Sequence, residues 1–306
     1  MLLAGSASAT FDELIVFGDS LTDVGNVEAT TDAIPLVPAT PGPAYFNGRF
    51  SNGPVWVENL SASLSLGPVV RSGAGGDNFA HGGALASGSS FPFNLVVDDL
   101  DDQVDDFLNR DGTADAADLF VILIGGNDIE AAVNGGSNAT ATAAATETLD
   151  QITRLYDAGA RHFLTPNLPD LGLVPRYDGQ EALATSRTLA FNTTLDAGLD
   201  AFELARPDAT LFRLDLVTLF ADLVADPASF GLVNVTDSAA PGLVAGDGNY
   251  DLSQVVSNAD EFLFWDDLHP TATGHALLAD AAFAVIPEPT LGLTLLVPAI
   301  LLRRYR

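Results

Sequence analysis

A serine follows the first apolar run of the chain, in the block FGDSLTD at positions 17–23. In an α/β sheet, reactive groups gather where the carboxyl ends of strands meet the N-termini of helices. Ser20 at this point can lie in a crevice with backbone N–H donors nearby, which suits a nucleophile. The block alone equally allows Ser20 a structural role as the N-cap of a helix.

A histidine and an aspartate stand three residues apart near the other end of the chain, in the block FWDDLHPT at positions 264–271. A helix is predicted to start at Thr271, so Asp266 can reach one imidazole nitrogen of His269 while the other nitrogen faces Ser20. Neutral His269 then accepts the serine proton, and the paired carboxylate stabilises the imidazolium. Alone, such a pair is more often a cap or a loop arrangement than a catalytic dyad.

Two glycine-rich blocks offer hydrogen-bond donors for the oxyanion that forms in acyl transfer. Positions 78–84 read NFAHGGA, and glycine amides there can approach a substrate closely because no Cβ intervenes. Positions 125–128 read GGND, follow a central apolar run and offer the side-chain amide of Asn127. Each block is weak evidence separately, because glycine-rich turns often follow strands.

The other three histidines are alternatives to His269. His81 is expected to pack or hydrogen-bond within its glycine-rich loop, and His162 is expected to be structural at the start of a buried strand. His275, in the predicted last helix, is the one serious alternative for the base. The aspartate three residues before His269 favours His269.

Carboxylates near predicted strand ends raise the alternative of a metal site, since such groups suit Mg²⁺ or Ca²⁺. The conceivable ligands are Asp19, Asp23, Asp128 and Asp266. We expect no metal, because a metal site would leave Ser20 and Asn127 without a role.

The composition is that of a folded, strongly acidic chain. Of 306 residues, 47% are hydrophobic and 17% are charged, enough for one large α/β domain with a sizeable core. The 12 basic residues are all arginine and face 41 acidic ones, for a formal charge of -29. Such a surface repels phosphate backbones, which argues against a nucleic-acid partner. The lack of cysteine excludes disulfides, a thiolate nucleophile and cysteine-ligated metals.

Short apolar runs alternate with longer amphipathic segments along the middle of the chain. Runs without polar alternation predict strands buried on both faces, at 13–17, 119–124, 162–165 and 210–214. Helices are predicted at 55–65, 97–109, 141–157 and 185–204. The alternation predicts an α/β fold, a three-layer α/β/α sandwich with a mainly parallel central sheet. Segments 34–48 and 237–249, rich in glycine and proline, are predicted loops.

In this order and spacing, the blocks resemble the GDSL family of the SGNH hydrolase superfamily, particularly its bacterial lipase and esterase branch. The resemblance runs from about Phe11 to Phe283 and includes the blocks GRFSNG at 48–53 and NLPDLG at 167–172. It implies a flavodoxin-like SGNH hydrolase fold and hydrolysis of carboxylic esters without metal or organic cofactor.

The resemblance also implies a role for each matching residue. Ser20 is the nucleophile, His269 the base and Asp266 its orienting partner. The oxyanion hole would comprise the Ser20 N–H, Gly83 and Asn127. The substrate is then a small-molecule, lipid or sugar ester. A carbohydrate acetyl esterase acting on exopolysaccharide and a non-catalytic envelope-binding module are the alternatives.

Both ends of the chain suggest export. Residues 1–9 end in the small-x-small pattern ASA and are interpreted as a truncated signal peptide. Residues 287–306 comprise Pro-Glu-Pro, an apolar run that as a helix spans about 20 Å, and three arginines. This tail resembles the PEP-CTERM sorting signal of Gram-negative bacteria, which implies processing by an exosortase-type enzyme and a place in the envelope or outside the cell. The hydrolase domain is then expected to occupy residues 10–286.

Overall fold

The computed structural model describes residues 11–34, 37, 40–89, 92–244 and 251–287. The predicted signal segment, 1–9, and the predicted sorting tail beyond Pro287 therefore lie outside the described residues. A parallel sheet of four strands, taken in sequence order, forms the centre, and a separate parallel pair lies near the end of the chain. The strands are β1 (Leu14–Gly18), β2 (Leu119–Leu123), β3 (His162–Pro166), β4 (Thr210–Leu214), β5 (Asn234–Ser238) and β6 (Phe262–Phe264).

The four central strands are in register through one row of apolar residues. Val16 pairs with Val121, Val121 with Leu164, and Leu164 with Phe212. Every residue of β1 and β2 is buried, as expected for strands covered on both faces. The predicted parallel strands are confirmed, with ends that shift by at most one residue. The expected burial on both faces is wrong for β4, an edge strand in which only Phe212 and Leu214 are buried.

Helices cover the sheet in two groups. They are α1 (Asn26–Asp32), α2 (Trp56–Ser63), α3 (Leu100–Asp111), α4 (Gly126–Val133), α5 (Asn138–Ala158), α6 (Glu181–Ala205), α7 (Leu216–Ala225) and α8 (Ala272–Val285). Helices α3 to α6 pack on one another, and α2 packs against α8. The predicted three-layer α/β/α sandwich is confirmed. None of the helices in the described ranges is both long enough and apolar enough to cross a bilayer.

Several short elements were not predicted from the sequence. Helices α1, α4 and α7 and strands β5 and β6 were missed. Helix α4 begins within the GGND block, which was interpreted as a turn. Gly125 takes φ +114° there and reverses the chain so that the helix starts directly behind β2. The predicted loop at 237–249 is wrong at its start, because the first two of its residues end β5.

A buried glutamine of α3 holds the end of β1, where the turn that carries Ser20 begins. Gln103 Oε1 accepts the Gly18 N–H at 2.9 Å, and Gln103 Nε2 donates to the Gly18 carbonyl at 2.9 Å. No side chain fits at Gly18 itself, since a Cβ there would lie 2.3 Å from the Leu123 carbonyl oxygen. The backbone leading to Ser20 is therefore fixed from two sides.

Replacing this glutamine should destabilise the fold. In Gln103→Leu the buried Gly18 N–H loses its acceptor, which costs about 1–3 kcal/mol in the free energy of unfolding. Urea denaturation of the variant measures the loss. Asn109→Ala, on the exposed face of the same helix, is the control and should change stability by less than about 0.5 kcal/mol. Equal stability of Gln103→Leu and the parent would contradict this account of Gly18.

Candidate active site

Ser20 lies in a tight turn directly after β1. The carbonyl of Asp19 accepts the N–H groups of Thr22 and Asp23, each at 3.0 Å, and this closes the turn. Ser20 is 7% exposed, so its hydroxyl faces the interior of a crevice rather than bulk water. The first helix begins only at Asn26, with Gly25 before it. The alternative in which Ser20 caps a helix is therefore wrong.

His269 lies in the turn between β6 and α8, and its imidazole meets Ser20 across 249 positions of sequence. His269 Nε2 is 2.9 Å from Ser20 Oγ, and His269 Nδ1 is 2.8 Å from Asp266 Oδ2. An ionised carboxylate only accepts hydrogen bonds, so Nδ1 carries the proton and Nε2 is left to accept from the hydroxyl. Thr271 caps α8 by accepting the Gly274 N–H at 3.1 Å, which ends the turn.

The carboxylate of Asp266 is fixed from several directions. Its Oδ1 accepts the N–H groups of Leu268 at 2.8 Å and His269 at 2.6 Å. Burial alone would raise its pKa, but the charge and hydrogen bonds of His269, together with the Tyr45 hydroxyl, lower the pKa of Asp266 below its ordinary value. Asp266 thus remains ionised although it is completely buried.

Two aromatic residues of the segment before α2 complete this arrangement, and no sequence motif assigns a role to either of them. Tyr45 Oη donates to Asp266 Oδ2 at 2.7 Å, the same oxygen that faces His269. The Phe50 ring lies 5.2 Å from the His269 ring and also covers Gly82, where a Cβ would fall 2.1 Å from it. Neither contact has a signal in residue spacing, because both depend on how a long loop folds over the site.

Two of the proposed oxyanion donors, Gly83 and Asn127, lie on the loop at 78–84 and at the start of α4. Asn127 Nδ2 donates one hydrogen to the Ala84 carbonyl at 2.8 Å, which orients the amide and leaves its second hydrogen for a ligand. Gly83 has φ +87° and the Phe93 ring against its α-carbon. Within the described part of the chain, the N–H groups of Ser20 and Gly83 donate to no protein acceptor.

Asp23 links the turn that carries Ser20, here called the serine turn, to the loop at 78–84 that carries Gly83, here called the oxyanion loop. Its fully buried carboxylate accepts the N–H groups of Gly25 at 2.7 Å, Asn26 at 2.6 Å and Gly82 at 2.9 Å. Burial raises the pKa of Asp23, while these amides and His81 act in the opposite direction. One carboxylate therefore holds the segment that carries Ser20 next to the loop that carries Gly83.

The three rival histidines have other partners. His81 Nδ1 lies 3.0 Å from the Phe79 carbonyl, and the His162 ring packs edge-on against Phe11. The Trp56 N–H donates to His275 Nδ1 at 3.3 Å, and burial lowers the pKa of His275 to about 3. Of the four histidines, the structure brings His269 to Ser20.

The aspartates considered as metal ligands act as acceptors for backbone amides. Asp19 accepts the Leu21 N–H at 3.1 Å and Asp128 accepts the Ala86 N–H at 3.0 Å. Burial raises the pKa of Asp19 to about 6 and that of Asp128 to about 7. Across the described ranges, no three histidine or acidic side chains converge in a way that could hold a metal ion.

Ser20, Asn127 and His269 share one narrow cavity of about 50 Å³. Its remaining walls are mainly apolar. A larger cavity of about 550 Å³ is lined by residues of α6, β3 and β4 and shares no lining residue with the first. We therefore place the chemistry at the smaller cavity.

Comparison with known proteins agrees with the resemblance found in the sequence. A phosphatidylcholine-sterol acyltransferase of Aeromonas hydrophila is 29% identical, covering 92% of each chain. A GDSL esterase/lipase of Arabidopsis thaliana is 29% identical, covering 89% of this chain and 81% of its own. A solved structure from Parabacteroides merdae, described as a GDSL-like lipase, covers 90% of this chain and 96% of its own at 13% identity and TM-score 0.49. The family pattern of the GDSL-like lipases and acylhydrolases matches residues 14–282. The chain belongs to the GDSL-like lipase/acylhydrolase family.

Proposed function

We propose that this chain is a serine esterase that hydrolyses carboxylic esters through an acyl-enzyme on Ser20. The observation that carries the proposal is the continuous line of hydrogen bonds from Ser20 Oγ through His269 to Asp266, at 2.9 and 2.8 Å. Family membership supports the reaction class, and relatives named as an esterase/lipase and as an acyltransferase both act on acyl esters.

The geometry assigns each proton a route. Ser20 Oγ attacks the ester carbonyl carbon while its proton passes to His269 Nε2, and Asp266 stabilises the imidazolium. The carbonyl oxygen becomes an oxyanion held by the Ser20 N–H, the Gly83 N–H and the free hydrogen of Asn127 Nδ2. The C–O bond to the alcohol then breaks, and His269 Nε2 returns the proton to the departing oxygen.

The second half repeats these steps with water. A water molecule attacks the carbonyl carbon of the acyl-enzyme and gives its proton to His269. Collapse of the second oxyanion breaks the bond to Ser20 Oγ, which recovers the proton from His269. The products are a carboxylic acid and an alcohol, and neither step uses a group beyond the chain and water.

Removing the nucleophile or the base should abolish hydrolysis. We expect Ser20→Ala and His269→Ala to lower kcat/KM for p-nitrophenyl acetate by about 10⁴-fold or more. Circular dichroism should show both variants folded, and a fluorophosphonate probe should label the parent but not Ser20→Ala. Ser186→Ala, at an exposed position of α6, is the matched control and should keep full activity. Most of the activity surviving in either site variant would refute the roles of Ser20 and His269, and a folded parent without labelling would favour the binding module.

Tyr45 should act as a positioning residue for Asp266. In Tyr45→Phe the carboxylate loses a donor, so the pKa of Asp266 rises and the loss of kcat/KM on the acid side begins at higher pH. A hydrogen bond to a charged group is worth about 1.5–3 kcal/mol, so we expect kcat to fall by roughly tenfold or more. A pH profile of kcat/KM on p-nitrophenyl acetate measures both effects.

Tyr156→Phe is the matched control for that measurement. It removes a similar bond, from Tyr156 Oη to Asp208 at 2.6 Å, on the surface. Its pH profile should match that of the parent. If Tyr45→Phe also matches the parent, the hydroxyl of Tyr45 does not support Asp266.

We further propose that the chain is exported and that residues 287–306 form its sorting tail. The support is the sequence: Pro-Glu-Pro, an apolar run, and then three of the chain's twelve arginines within its last four residues. A cell-envelope or extracellular location, and an exosortase-type processing partner, would follow.

Mass spectrometry of the protein from an exosortase-bearing Gram-negative host tests the tail. We expect a mature product that lacks the terminal arginines. A variant with Pro287, Glu288 and Pro289 replaced by alanine should keep them. An intact C-terminus in the exported parent would contradict the proposal and would leave the esterase assignment untouched.

A further inference from the structure

An apolar recess opens beside the candidate nucleophile. It forms most of the wall of the 50 Å³ cavity that Ser20, Asn127 and His269 share. Its side chains come from three separate parts of the chain, which places the recess between β3, α7 and the β6–α8 turn. We call it the Phe220 recess, and its apolar lining is Leu168, Leu171, Val174, Phe220, Phe264 and Leu268.

Two aromatic rings form part of this wall. Phe220 of α7 and Phe264 of β6 have ring centroids 6.4 Å apart and planes inclined by 58°. Both are buried, at 7% and 1% exposure, and both belong to the main core. The wall is therefore continuous with the packed interior, and these two rings cannot move aside without disturbing the core.

The volume fits a short chain. A water-sized atom needs about 10–15 Å³ of such space, so 50 Å³ holds roughly three to five of them. The carbons of a butyryl chain beyond its carbonyl fit within this limit. Those of an octanoyl chain do not.

The recess suits the acyl group better than the alcohol. The acyl group stays attached to Ser20 until water arrives, whereas the alcohol must leave and be replaced by that water. A recess with an apolar wall accommodates the group that stays on Ser20, because burying its methylenes is favourable. A polar alcohol would lose its hydration there without gaining partners.

We propose that the Phe220 recess binds the acyl chain and makes this protein selective for short-chain acyl esters, with Phe220 setting the limit at about four carbons. The inference rests on the proposed function and adds to it the class of acyl group. The alcohol is expected to lie outside the Phe220 recess.

The test compares p-nitrophenyl acetate, butyrate, octanoate and palmitate as substrates of the full chain. We expect kcat/KM to fall at least tenfold from butyrate to octanoate in the parent. Phe220→Ala removes a ring from the recess and should raise the octanoate-to-butyrate ratio at least tenfold. Phe220→Leu, a milder change, should move the ratio in the same direction and covers the case in which Phe220→Ala does not fold.

Leu223→Ala is the matched control, because Leu223 is a buried residue of the same helix and does not line the cavity. It should lower stability and leave the chain-length ratio unchanged. A series of acetates with alcohols of increasing length completes the design, and its profile should be the same in the parent and in Phe220→Leu.

Three results would overturn the proposal. They are a parent that prefers octanoate or palmitate, a ratio that Phe220→Leu does not move, and a variant that changes selectivity for the alcohol instead. In each of them, activity that still depends on Ser20 would leave the esterase function standing. Activity that survives in Ser20→Ala would instead refute the proposed function itself.

Discussion

The contact between Ser20 Oγ and His269 Nε2 requires that two turns at opposite ends of the sequence reach one point. The parallel sheet meets this requirement because the carboxyl ends of its strands share an edge, and the turn after β1 emerges there. Helix α8 has to start where His269 can reach Ser20, and its cap at Thr271 fixes the turn that carries His269. Several buried polar side chains hold these two turns in place.

That network consists largely of single side chains that satisfy several backbone groups at once. Asp23 accepts backbone N–H groups from both the serine turn and the oxyanion loop. Gln103 bonds to both backbone groups of Gly18 at the end of β1, and Asp266 bonds to its own turn while it orients the imidazole of His269. A buried carboxylate or amide with all its partners is rigid, because each lost bond would leave an unsatisfied group in a low-dielectric interior. The site is thus preorganised by the same bonds that stabilise the fold.

The sequence was informative where one physical signal dominated. Runs such as LFVIL indicated buried strands, and the motif blocks placed Ser20, Gly83, Asp266 and His269 in turns or loops, and Asn127 directly after β2, at the expected sheet edge. It was uninformative for Tyr45 and Phe50, since their contacts with Asp266 and His269 come from the path of a loop that no periodicity describes. Helix α4 was missed because two consecutive glycines are typical of a turn. Here Gly125, in a left-handed conformation, is the N-cap of the helix. The cavity beside Ser20 has no sequence signature, because its walls come from residues more than a hundred positions apart.

Asp19 lies in the wall of that cavity, and burial raises its pKa to about 6. Hydrolysis turns the neutral acyl group into a carboxylic acid, which becomes an anion when it gives its proton to water. The product anion then faces a like charge in a confined space of low dielectric, and repulsion drives it outward. Whenever Asp19 is ionised, this repulsion would favour release of the product acid from the cavity beside Ser20.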